Sequence, residues 1–423
     1  MEKKSVCMML LFVLMPNGVL SFSFLRELIF PRTPMLNRVR AHNEARSSDR
    51  DYAVLDFMGL VAKHGYTAEE HKVVTRDGYN LRVHRIPGTP TSPPRAGKPA
   101  VFLQHGVFGS SDHWVLMGPE KDLAFMLADG GYDVWMGNVR GNTYSRAHEE
   151  LSPSDEQFWQ FSYHEMSVYD LPAMIDYTLK VSGEKAVHYV GHSMGTTMTY
   201  VLLSTMPEYN EKIKLAVSLA PVALWKVQPT IPMVVLMEQN FNFLKGLLDM
   251  NNIAEIFPQT TNNARLARGL CSDGTVTQSV CLTLMSVLSG HDPHQLNSTL
   301  LPYYLSYFPA GASTQTLYHY AQNIRTGAFQ QYDHGYIENF KLYGKKRPPS
   351  YDVKKITAPF ALIYGANDPL TREENTNELA RRLQNVVTVE KVPYKYFNHI
   401  DFIWALDARE LLYNRIMELL EMY

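Results

Sequence analysis

A mostly apolar run that stops at a glycine-flanked serine and resumes as an apolar helix constrains this chain more than any other feature: "AVHYVGHSMGTTMTYVLL". Residues Ala186 to Val190 read as a strand, Gly191-His192-Ser193-Met194-Gly195 as a sharp turn, and "TTMTYVLLSTM" as a helix. Turning from strand to helix within so few residues crowds the backbone, and glycines at 191 and 195 remove side chains that would collide. Such a turn lifts the serine hydroxyl to the C-terminal end of a strand, where a nucleophile is needed. The bare spacing G-x-S-x-G also occurs at ordinary turns, so the flanking elements decide its meaning.

Those flanks alternate between strand and helix. From Lys72, "KVVTRDGYNLRVHRI" predicts two strands joined by a tight turn at Asp77 and Gly78. After a Pro-rich connector, Ala100 to Leu103 is a short strand that ends at "QHGVFGSSDHW". Helical "EKDLAFMLADGG", strand-like "YDVWMGNVRGN" and helical "VYDLPAMIDYTLKV" then lead into the serine turn. This alternation predicts a parallel sheet with crossover helices. After "LAPVAL" the pattern lapses: from about Trp225 to Tyr343 the chain is rich in Met, Phe, Leu and Tyr without alternation. It returns with strand-like "PFALIYG" and helical "REENTNELARRLQ". The chain therefore reads as an α/β fold with a mostly parallel central sheet and an inserted helical cap. The expected boundaries are 66–222 and 348–423 for the two parts of the core and 223–347 for the cap and lid, with no role assigned to 24–65. At 423 residues and 45% hydrophobic, the chain can bury a large core.

A serine hydroxyl is a weak nucleophile unless a histidine takes its proton and a carboxylate orients that histidine. With a strand-turn-helix serine, the partners follow in the order acid, then histidine. "LIYGANDPL" puts Asp368 just after a strand, and "KYFNHIDFIWA" offers His399 in a loop after the strand-like Val386 to Val392. Asp368 could instead cap the following helix. Asp401 is the competing acid, read as orienting the loop, and His192 lies within the turn, directed away from a base's role. A tetrahedral intermediate also needs donors, which points to the backbone N–H groups of Met194 and of Val107 in "QHGVFG". Neither metal nor cofactor is called for: His291 and His294 of "HDPH" do not make a coordination sphere, and Arg146, His164 and Asp170 read as scaffold.

The chain opens with Lys3 and Lys4, an apolar run from Val6 to Met15, a break at Pro16-Asn17-Gly18 and small residues at Ser21 and Ser23. This layout predicts a secretory signal peptide over 1–23, against an uncleaved anchor or a buried first helix, and the run is too short to span a bilayer. Its removal takes Cys7 and leaves Cys271 and Cys281, which would pair in an oxidising compartment or stay as two buried thiols. Asn297-Ser298-Thr299 is a glycosylation sequon. Forty basic against 42 acidic residues, with no strong basic patch, argue against nucleic acid as the main partner. Fifteen histidines would make the protein cationic below about pH 6.

The segments "HGVFGSSDHW", "DVWMGNVRGNTYSRAH", "FWQFSYHEMSVYDLPAMIDY", "GHSMG", "LNSTLLPYYLSYFPAGAS", "YGANDPL" and "FNHIDFIWA" together resemble the acid lipase family, the gastric and lysosomal acid lipases and their invertebrate relatives. The resemblance runs from about Tyr66 to the C-terminus. It implies an α/β-hydrolase core, a helical cap with a lid, and hydrolysis of acylglycerols or sterol esters without metal or cofactor. It puts Ser193, Asp368 and His399 on the family's triad and Val107 and Met194 on its oxyanion positions. Where members often carry Gln and Leu, this chain has Met194 and Val107, and its cysteine pair is spaced one residue wider; no backbone donor is lost. The implied partner is lipid at an oil–water or membrane interface, in an extracellular or lysosomal setting. In "IPMVVLMEQNFNFLKGLLDM", Met233, Val234, Val235, Leu236, Phe241, Phe243, Leu244 and Leu247 suit either a lid that meets lipid or the core of the cap. A small-ester hydrolase and a non-catalytic lipid binder are the rival readings, and the presence of all three triad members argues against the second.

Overall fold

In the computed structural model, which describes residues 35–41 and 53–423, the alternating elements form one eight-stranded sheet. The signal-peptide expectation over 1–23, with Cys7, and most of 24–65 lie outside the described residues. The strands are β1 Glu69–Val74, β2 Asn80–Ile86, β3 Ala100–Gln104, β4 Asp133–Gly137, β5 Val187–His192, β6 Ile213–Leu219, β7 Phe360–Tyr364 and β8 Val386–Lys391. Their spatial order is β8-β7-β6-β5-β3-β4-β2-β1. Every pairing from β8 to β4 is parallel, and β2 runs antiparallel to both β4 and β1.

Strands β3, β4, β5 and β7 are buried along their whole length, as a parallel sheet covered on both faces requires. Their residues alternate between two cores. Val101, Leu103, Val134, Met136 and Val190 face one layer, while Ala100, Phe102, Trp135 and Tyr189 face the other. The covering helices include α1 Phe57–Ala62, α2 Leu123–Asp129, α3 Leu171–Ser182 and α4 Met194–Thr205.

Three features depart from the sequence reading. Strand β5 continues to His192, so Ser193 follows the strand with no intervening residue. Strand β6, "IKLAVSL", has no counterpart in the sequence reading, because a short, mostly apolar run beside an apolar stretch carries no clear period of its own. Helix α1 also precedes the expected start of the core at 66. Its Phe57, Leu60 and Val61 are buried in the main core, and Asp56 caps it by accepting the Gly59 N–H at 2.7 Å.

Between β6 and β7 the chain builds the cap from α5 Pro232–Gln239, α6 Phe241–Met250, α7 Thr261–Cys271, α8 Val276–Ser289, α9 Thr314–Thr326 and α10 Tyr336–Tyr343. A two-residue antiparallel pair, Glu255–Ile256 with Ala312–Ser313, had no sequence signal. Cys271 and Cys281 are disulfide-bonded, joining the end of α7 to α8. Among the described residues no helix is long and apolar enough to cross a membrane. After β7, α11 Glu373–Arg382 returns the chain to β8.

Candidate active site

Ser193 occupies the turn between β5 and α4 with φ +53° and ψ −116°, a conformation that non-glycine residues adopt only when the surroundings enforce it. The enforcement is visible. Its N–H donates to Leu219 O of β6 at 3.0 Å, and its carbonyl accepts the Thr196 N–H at 2.8 Å. A Cβ at Gly195 would stand 2.4 Å from Gln104 O, and one at Gly191 would stand 2.8 Å from the Gly195 carbonyl carbon. The two glycines are thus required by the close approach of the turn to β3 and to itself.

Asp368 lies in the turn after β7, buried, with four donors converging on its carboxylate. Oδ1 accepts the N–H groups of Leu370 and Thr371 at 2.8 and 2.9 Å. Oδ2 accepts the Thr371 hydroxyl at 2.6 Å and His399 Nδ1 at 2.7 Å. Burial alone would push this carboxyl up, but the His399 imidazole and the Thr371 donors outweigh it and hold Asp368 below the usual carboxylate range. The helix-cap alternative does not describe its bonds, since α11 begins at Glu373 with Arg372 as its N-cap.

His399 reaches from the loop after β8, and its Nε2 is 2.9 Å from Ser193 Oγ. With an ionised carboxylate at Nδ1, that nitrogen carries the hydrogen and Nε2 is left as the acceptor for the serine hydroxyl. The loop is held from both sides: the His399 N–H donates to Ser289 O of the cap at 3.0 Å, and its carbonyl accepts from His192 Nε2 at 3.0 Å. Burial lowers the His192 imidazole to about 3, so it remains a neutral donor. Asp401 does not touch the imidazole. Its Oδ2 accepts the Asn398 N–H at 2.7 Å, and Asn398 Oδ1 accepts the N–H groups of Ile400 and Asp401.

Val107 and Met194 line one narrow void of about 10 Å³ together with His105, Phe108, Val139 and Met166. Met194 is the first residue of α4, so its N–H has no partner within the helix. The Val107 loop is shaped by the Gly109 N–H donating to Gly106 O at 3.1 Å, and by buried His105, lowered to about 4, whose Nδ1 bonds the same carbonyl at 2.8 Å. The site is covered: Ser193 is 3% exposed, and the void is far smaller than an acyl chain.

Other singled-out residues stay apart from this cluster. Asn297 is half-buried, its Oδ1 accepting the Leu300 N–H at 3.3 Å. Arg146 pairs with Glu255, Asp170 with buried Arg140, and His164 with the Tyr351 hydroxyl. His291 and His294 are exposed, and no cluster of three or more His, Cys, Asp or Glu suited to a metal occurs among the described residues. Sequence reasoning missed Thr371 and the cap segment from Ser289 to Gln295. Thr371 had a signal, a hydroxyl three residues after the acid in "DPLT"; the cap segment had none, because it meets the His399 loop only through long-range contacts.

With this geometry in view, the chain matches the family described as "alpha/beta hydrolase fold" over residues 99–406 and a "partial alpha/beta-hydrolase lipase region" over 57–118. It is 38% identical to Lipase 1 of Drosophila melanogaster, covering 89% of this chain and 82% of the relative. It is 38% identical to the gastric triacylglycerol lipase of Homo sapiens, covering 85% and 89%, and 36% identical to human Lipase member K, covering 92% and 96%. Long matched spans, the α/β sheet and the buried Ser193–His399–Asp368 cluster lead to one conclusion: the chain belongs to the acid lipase family of α/β-hydrolases.

Proposed function

We propose that this protein hydrolyses the carboxylic ester bonds of acylglycerols through an acyl-enzyme on Ser193. The observation that carries the reading is the continuous relay from Asp368 Oδ2 to His399 Nδ1 at 2.7 Å and from His399 Nε2 to Ser193 Oγ at 2.9 Å. Ser193 Oγ attacks the ester carbonyl while His399 takes its proton, and the Asp368 carboxylate stabilises the imidazolium that forms. The developing oxyanion accepts from the N–H groups of Met194 and Val107. Collapse expels the alcohol with the proton held by His399. Water then attacks the acyl-serine by the same path reversed, returning the serine and releasing the acid.

A lipid substrate, rather than a small soluble ester, is supported by the outer face of the cap. Helix α8 carries no charge over its 14 residues and exposes Val276, Val280, Leu284 and Val287 along one stripe, Val276 to 91%. Phe243 of α6 is 70% exposed, in the segment read as a lid; the side chains of Met233 and Leu236 lie outside the description. The covered serine means that the cap has to shift before an acyl chain enters. Secretion with glycosylation at Asn297 is part of the same proposal, supported by the Lys-led apolar start of the sequence and the Cys271–Cys281 bridge. The test is a chain-length series with and without an emulsion. A lipase shows a jump in rate as a long-chain ester passes its solubility limit, whereas a smooth rise, with preference for short esters, identifies a soluble esterase.

A further inference from the structure

The cap does more than cover the serine, because one of its segments is bonded to both loops that carry the histidine and the acid. Ser289 O accepts the His399 N–H at 3.0 Å, Gly290 O accepts Asn398 Nδ2 at 2.9 Å, and His291 O accepts Asn367 Nδ2 at 2.6 Å. Asp292 follows directly. Its Oδ1 accepts the Tyr394 hydroxyl at 3.0 Å and the N–H groups of His294 and Gln295 at 2.8 and 3.2 Å. Its Oδ2 is buried and meets no donor N–H or O–H among the described residues, and the Asp292 side chain lies within hydrogen-bond reach of the Asp401 carboxyl, which is 1% exposed.

Two bare carboxylates in this arrangement repel, and a buried acceptor without a donor is costly. One proton between them removes both penalties. Asp292 already receives three donors that favour its charged form, whereas Asp401 receives only the Asn398 N–H. The proton therefore belongs on Asp401, donated to Asp292 Oδ2. We infer that Asp401 and Asp292 share one proton, and that this pair is a positioning device holding the His399 loop against the cap and setting the alkaline limit of catalysis.

Burial and the Asp292 neighbour push the Asp401 carboxyl up to about 8. The ionisable groups that act on it are Asp292 from the cap segment, Tyr394 from its own loop and Asp368 from the turn after β7; His399 and His192 lie beyond them, bonded to Asp368 and to the His399 carbonyl. Asp368 adds to the upward push, and neutral His192 contributes no cation. When the proton leaves to solvent, the carboxylates separate, and with them the Ser289 and Gly290 carbonyls that hold His399 and Asn398.

The inference rests on the triad reading, so its test includes a readout independent of turnover. The kcat of a soluble short-chain ester is followed from about pH 5 to about pH 9 for the parent, Asp401→Asn and Asp292→Asn, each normalised to its own value near pH 6, with thermal midpoints over the same range. The parent is expected to lose kcat with a midpoint near the Asp401 pKa of about 8, at constant KM. In each variant the new amide donates an N–H to the remaining carboxylate, a bond with no titrating proton in it, so both should lose that alkaline limb and show a smaller fall in thermal midpoint over it. Two variants guard against one failing to fold, since Asp292 lies at the half-buried cap segment and Asp401 in the core. An alkaline limb that persists in both variants, with a midpoint fall as large as the parent's, overturns the proposal; a smaller residual fall is expected from buried Asp122, whose carboxyl is also raised to about 8. A parent without turnover whose midpoint still falls, and falls less in the variants, supports the pair while refuting the triad reading.

Discussion

Asp368 shows how much of this chemistry is decided by single hydrogen bonds. The Thr371 hydroxyl, 2.6 Å from the oxygen that also holds His399, is a charge-assisted donor that fixes the carboxylate's orientation. Thr371→Val should lower kcat by about tenfold with little change in KM, because a bond of about 1.5 kcal/mol to a charged group is lost. Steady-state kinetics on a soluble ester measures this, and an unchanged kcat would show that the backbone donors of Leu370 and Thr371 suffice. Asp368→Asn should be far more severe, about 10⁴-fold in kcat, since the amide favours the wrong tautomer at His399. The principal residues were legible because each stands beside a local signal: glycines around Ser193, Gly365 and Pro369 around Asp368, and an Asn-His-Ile-Asp turn at His399. Thr371 also lies within reach of a local signal, three residues after the acid, whereas Asp292 acts through a contact 102 residues away that only the folded chain makes.

The elements obey the same division. Strands β3, β4, β5 and β7 could be read as short apolar runs between turn residues, whereas β6 could not, because nothing in "IKLAVSL" separates it from the apolar stretch that follows. Yet β6 fixes the serine turn through Leu219 O, so the unread strand is part of the site's support. The helical character of the cap was visible as a loss of alternation, while the Glu255–Ile256 pairing with Ala312–Ser313 was too short to leave a pattern. Gly195→Ala drives a Cβ to within 2.4 Å of the Gln104 carbonyl, which is backbone and cannot swing aside, so it should destabilise by at least about 2 kcal/mol in denaturant unfolding. Replacing both Cys271 and Cys281 by Ser opens a loop of sequence separation 10, worth about 2–3 kcal/mol in the chain-entropy model. Faster proteolysis confined to α7 and α8 is the expected signature; an unchanged cleavage pattern would show that packing alone holds the pair.

For the whole molecule, buried titratable groups set how stability follows pH. Burial raises the Asp122 carboxyl to about 8 despite bonds from the Gly118 and Met117 N–H groups. The folded chain therefore keeps a proton that the unfolded chain releases near pH 4, and that stabilisation, complete in acid, is lost as pH rises toward 8. Burial works oppositely on His188, His192 and His319, lowered to about 4, 3 and 3. Their contribution is complete above about pH 6.5 and is lost as pH falls through 4 toward 3. Asp122→Asn should thus flatten the decline in thermal midpoint between about pH 5 and pH 8, and an identical decline in parent and variant would contradict the assignment.

These scales meet in the claim that Ser193, activated by His399 and Asp368, hydrolyses lipid esters. The most direct measurement is hydrolysis of an emulsified long-chain triacylglycerol by the purified protein and by Ser193→Ala, from about pH 4 to about pH 8. The predicted result is turnover in the parent that drops by at least about 10³-fold in the variant, with both proteins equally folded. Equal rates in the two proteins, or an inactive parent that still binds the emulsion, would contradict it.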